Sequence, residues 1–144
     1  MAGKSDFTEV EWENLHLGLT GAGMLVAVSD AGFFDSFKEA GTLAKHLAEA
    51  SRTSASELIR EIAATHGTGF GLTAKPDEVE AKTLAALELS VATLAAKAPD
   101  ELEPYRSLVL DIATSVSEAA GGGETVEAQA IDKIKAAVGA SSSS

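Results

Sequence analysis

Apolar positions along the chain recur at intervals of three and four rather than two, and alternating β-branched runs are missing. That spacing returns a side chain to the same face once per helical turn, so the chain reads as helical throughout. Six main helices follow. The first covers residues 8–29, with Trp12, Leu15, Leu19, Ala22 and Val26 on one stripe. Thr8 and Glu11 fit a capping box, in which each side chain satisfies the other residue's free amide. The run from Met24 to Val28 is apolar nearly all round, which predicts that this end is central to the core. The second helix covers 33–50 through Phe33, Phe37, Ala40, Leu43, Ala44 and Leu47. Ser54 and Glu57 make another capping box and open a short third helix, with Leu58, Ile59 and Ile62 inside. It ends near His66 and Gly67.

Pro76 suits the first position of a fourth helix, where a missing amide costs nothing. That helix runs to Lys97 through Val79, Leu84, Leu87, Val91 and Leu94. Pro99 ends it, and Pro104 restarts the chain after a single turn from Asp100. The fifth helix reaches Ala120 through Leu108, Ile112 and Val116, and the three glycines at 121–123 break it. Thr125 caps a sixth, built on Ile131, Ile134 and Val138 and stopped by Gly139. The expectation is therefore all-α: a bundle of six to seven helices forming one domain over 8–139. A flexible N-terminus, 1–7, and a disordered serine-rich tail, 140–144, flank it.

Composition narrows the function. The chain has 144 residues, with 11 Lys+Arg against 22 Asp+Glu and a formal charge of -11. Binding to a nucleic-acid backbone draws on clustered cations, which this sequence does not supply, and the same charge opposes anionic membranes. It favours a cation or a basic protein partner. Cysteine is absent, which removes disulfides, thiolate nucleophiles and Cys-ligated metals. No apolar run approaches the roughly 20 residues of a membrane span. The acidic start lacks the apolar core of a signal peptide, so a cytoplasmic protein is expected.

Two stretches echo each other. From Gly23 and from Leu108, an apolar helix ends in small residues with an acid, Asp30 or Glu118. A glycine-containing turn and an amphipathic helix follow. A duplicated helical hairpin would pack as two related halves. The turns read Val28-Ser29-Asp30-Ala31-Gly32 and Glu118-Ala119-Ala120-Gly121-Gly122-Gly123-Glu124, the second closing at Ala136-Ala137-Val138-Gly139. In this pattern the chain resembles the tellurite-resistance TerB-like domains over most of 8–139. The resemblance implies a compact orthogonal helical bundle, a cytoplasmic place in bacterial stress response, and a non-enzymatic module that binds partners and a divalent cation through acids of the two turns. Asp30 matches the acid of the first turn. The second turn departs from the pattern, with glycines where the family tends to have Asp-Gly, leaving Glu118, Glu124 and Glu127 nearby.

Candidate chemistry is sparse. Calcium takes about six to eight oxygens, and Asp30, Asp35, Glu118 and Glu124 would supply carboxylates if the two turns meet. The same acids also suit turns and the positive ends of helices. Glu13 and His16 form an i, i+3 carboxylate–imidazole pair of the kind that di-iron bundles use twice, but only one copy exists, so a solvated contact is expected. His46 and Glu49 show the reversed order. No serine sits in a nucleophile elbow. The glycine-rich run from Gly67 through Gly69 to Gly71 lacks the lysine of a phosphate loop and follows a helix instead of a strand. It reads as a cap and loop, or as a gate over a pocket for a small molecule or an enzyme's substrate. The acidic groups at 9, 11 and 13, at 77, 78 and 80, and at 100, 101 and 103 fall at helix starts. There they are stabilised by the helix dipole, and together they would offer a negative face to a basic partner. A homo-oligomer through an exposed Ala/Leu face is a third reading.

Overall fold

A computed structural model describes residues 4–29, 36–54, 56–64, 76–119 and 125–139. The described chain is an all-α bundle. Its helices are α1 (Glu9–Ser29), α2 (Ser36–Thr53), α3 (Glu57–Ala64), α4 (Pro76–Lys97), α5 (Leu102–Ala119) and α6 (Thr125–Gly139). α1 is the central element and touches all five others, most extensively α4. From Leu15 to Val26 every residue is buried or half-buried, which accounts for the apolar character of this stretch, whereas Glu9, Val10 and Glu13 at the start of the helix are exposed.

The start of α1 is the expected capping box. The Thr8 amide donates to Glu11 Oε1 at 2.9 Å and the Glu11 amide donates to Thr8 Oγ1 at 3.1 Å. Folded chain extends further back than Thr8. Lys4–Asp6 form a 3₁₀ turn, and Phe7 is buried against Trp12 with ring centroids 6.1 Å apart. Lys97, at the end of α4, clamps this corner. Its ammonium lies 5.6 Å from the Phe7 ring centroid, donates to the Asp6 carbonyl at 3.2 Å, and pairs with Glu11 at 2.5 Å.

Other boundaries move. The second helix ends at Thr53 instead of Ala50. The third helix is capped by Ser56 instead of Ser54: the Ile59 amide donates to Ser56 Oγ at 3.1 Å, while Ser54 Oγ accepts from the Ser56 amide at 3.3 Å. After a 3₁₀ turn at Pro99–Glu101, α5 begins at Leu102, two residues before Pro104. Proline is tolerated there because first-turn amides have no intrahelical acceptor.

Trp12, Leu15, Leu19, Ala22, Val26, Leu58, Ile59, Ile62, Leu87, Val91, Leu94, Ile112, Val116, Ile134 and Val138 are all in the core, as their spacing predicts. Tyr105 is fully buried as well, and its phenol donates to the Leu15 carbonyl at 2.7 Å. Burial pushes that phenol well above its ordinary pKa, and the neighbouring Ser90 hydroxyl opposes the shift in part.

The α1 glycines explain how α1, α4 and α5 come so close. A Cβ on Gly18 would stand 2.3 Å from the Tyr105 hydroxyl, and one on Gly21 would stand 2.3 Å from Thr83 Oγ1. Both distances lie far inside van der Waals contact, so Tyr105 and Thr83 fill the space that a side chain on α1 would need.

The paired helices of the internal echo pack together, α1 on α2 and α5 on α6. The turns between them, 30–35 and 120–124, lie outside the described residues. So do the glycine-rich run at 67–71 and the tail at 140–144.

Candidate functional site

Of the four expected cation ligands, Asp30, Asp35 and Glu124 lie outside the described residues. Glu118 is exposed in the last turn of α5. Among the described residues, no three His, Asp or Glu side chains come together as a metal site would need. The Glu13–His16 pair is not a solvated contact. Glu13 is exposed, whereas His16 is 6% exposed, on the buried side of α1.

The acidic groups at helix starts do more than answer the helix dipole. One carboxylate from each of the three sets links separate elements. Glu11 pairs with Lys97, Glu80 with Lys133 of α6, and Glu101 accepts from the Ser56 hydroxyl at the head of α3. The Lys97 hydrogen bond, followed by the Thr8 amide, holds the Glu11 carboxyl below the usual carboxylate range.

A groove of about 450 Å³ opens between α2, α3 and α5. From α2 it takes His46, Glu49, Ala50 and Thr53, and from α5 it takes Pro104, Ser107, Leu108 and Asp111. Each set has the i, i+3, i+4, i+7 spacing that puts four side chains on one helical face. Two facing stripes of this kind make the long walls. Ser54, Ser56 and Ile59 close one end at the start of α3.

The floor is apolar: Ala50 and Ile59 are buried and Leu108 is half-buried. The walls are polar, and Glu49 and Asp111 are exposed, one on each long wall. Among the described residues, no lysine or arginine lines the groove. Arg60, close by on α3, is turned to the Ser54 carbonyl, to which its Nη1 donates at 2.9 Å. The Ser56 hydroxyl is likewise occupied, capping α3 and donating to Glu101.

This arrangement suits recognition. Carboxylates on opposite walls above an apolar floor fit a cationic group on an aliphatic stem, because the stem covers the floor while the charge stays at the wet rim. The spacing of His46 and Glu49 is visible in the sequence; Asp111 opposite them is not, because only the packing of α2 on α5 brings it there. Among the described residues, no helix is long and apolar enough to cross a membrane. No family model matches the chain, and no curated protein or solved structure matches it.

Proposed function

We propose that this chain is a non-enzymatic, cytoplasmic helical interaction module, TerB-like in kind and associated with stress response, that binds a basic protein partner. The observation that carries this reading is the groove between α2, α3 and α5. It carries an acid on each long wall and, among the described residues, no lysine or arginine, on a chain of formal charge -11. Such a surface attracts a basic segment, rejects acidic ones by like-charge repulsion, and speeds encounter with the right partner.

The test is selection of random 12-residue peptides on the immobilised full chain, followed by affinity measurements at rising salt. Enrichment of basic peptides, with affinity that falls as ionic strength rises, supports the reading. Enrichment of neutral or acidic peptides, or no enrichment over a blank surface, overturns it.

A further inference from the structure

The geometry points to a specific seat and a specific anchor: the groove between α2, α3 and α5 receives an arginine side chain of a basic partner segment, held between Glu49 and Asp111. This rests on the reading above and adds where the partner binds and by what chemistry.

The groove volume, about 450 Å³, lies toward the small end of ligand sites, which run from about 300 to 1,000 Å³. It holds a few side chains and not a whole helix. The occupant is therefore a segment that presents one or two side chains downward while its backbone stays at the rim.

The floor and walls then select the side chain. Ala50 and Leu108 come from opposite helices and offer apolar surface to an aliphatic stem. Glu49 and Asp111 stand one turn or less from them along the same faces, so they offer carboxylates at the rim on both sides. A guanidinium presents five N–H groups in a planar fork and can bond two carboxylates at once. A lysine ammonium would reach the same place, but as a point charge without the fork. An aliphatic anchor would leave both carboxylates facing apolar surface, and an acidic one would meet two like charges. Among the described residues, the nearby lysines and arginines do not line the seat: Arg60 bonds the Ser54 carbonyl, and Lys45 and Arg52 are exposed on α2 outside the groove lining.

The experiment measures affinities of the basic peptides recovered by selection, fluorescently labelled, for the full chain and three variants. Glu49→Gln with Asp111→Asn removes the two wall charges. Glu78→Gln with Glu88→Gln makes the same change in net charge on exposed positions of α4 outside the groove. Ser107→Trp, on an exposed wall position, obstructs the seat while leaving every charge in place.

The expected result is that the wall-charge pair weakens binding about tenfold or more, as lost hydrogen bonds to charged groups do. The α4 pair should change it less than about twofold, and Ser107→Trp should abolish it. Replacing the peptide's arginines with lysine should weaken binding to the parent chain but matter less in the wall-charge variant. Equal weakening by both charge pairs would overturn the groove while leaving a basic partner standing. Binding indifferent to Ser107→Trp would do the same. A dimer in peptide-free solution that the wall-charge pair dissociates would make the occupant a second copy and overturn the arginine seat. Failure to recover any basic peptide would remove the functional reading itself.

Discussion

Replacing Gly21 by alanine sets two large effects against each other, and the structure decides between them. Gly21 lies inside α1, where alanine is favoured over glycine by about 1 kcal/mol from propensity alone. Against this, the new Cβ would stand 2.3 Å from Thr83 Oγ1 and 3.0 Å from both Thr83 Cβ and Cγ2. Rotation about χ1 can turn the Thr83 Hβ toward the new methyl, but Thr83 Cβ itself stays 3.0 Å away, so rotation alone does not clear the space. α1 and α4 must separate, along the most extensive helix contact of the molecule. Overpacking of this kind costs typically ~1–3 kcal/mol, and three close atoms place it at the upper end. The net expectation is destabilisation by about 2 kcal/mol, or about 6–8 °C in melting temperature for a domain of this size.

Thr83→Ala tests the cause. It removes two of the three offending atoms, including a buried hydroxyl oxygen without a hydrogen-bond partner. Alone it should be nearly neutral. In its background Gly21→Ala should cost less than about 0.5 kcal/mol, giving a coupling energy of about 1.5 kcal/mol or more by double-mutant cycle. Denaturant melts followed by far-ultraviolet circular dichroism measure all four species. If Gly21→Ala raised stability in the parent chain, propensity would have won, and the close approach of α1 to α4 would be wrong.

Three further outcomes follow. The only tyrosine in the chain is Tyr105, buried and with its phenol pKa raised. Its contribution to stability is whole below the unfolded pKa near 10 and is lost as pH rises above it. Phenolate absorbance should therefore appear together with loss of helicity, and ionisation of a fully helical chain near pH 10 would contradict the burial. Glu11 has its pKa depressed by Lys97 and Thr8, so its contribution is present above the unfolded carboxyl pKa and lost as pH falls through the folded one. Glu11→Gln should lower the melting temperature at pH 7 and flatten its fall on acidification, and an unchanged acid profile would remove the Lys97 corner from the account. If Asp30, Asp35, Glu118 and Glu124 hold a cation, Ca²⁺ at a hundredfold excess over its dissociation constant should stabilise the chain by about 2.7 kcal/mol. Asp30→Asn should cancel that gain, and the same melting temperature with Ca²⁺ and with EDTA would retire the acidic-turn site.

The sequence made some elements legible because their signals are local. Thr8 and Glu11 satisfy each other within one turn, and Pro76 opens α4 on its own dihedral preference. The apolar period identifies most core positions because each helix needs a face to bury. Features that depend on a partner element were not legible in the same way. Ser54 and Ser56 both suit a cap, and the position whose hydroxyl also meets Glu101, 45 residues away, is the one used. Tyr105 carries no local signal of burial; the Leu15 carbonyl and the gap at Gly18, both on α1, are what accommodate it. The groove is the furthest from local signals. Its two walls are ordinary helical faces, and their meaning comes from being set opposite each other.

The most direct test of the account is amide chemical-shift mapping of the full, isotope-labelled chain titrated with a recovered arginine-containing peptide. The largest shifts should cluster at residues 46–59 and 104–111, on the three elements that form the groove. Shifts centred instead on the exposed side of α4, or spread evenly over acidic positions, would contradict it.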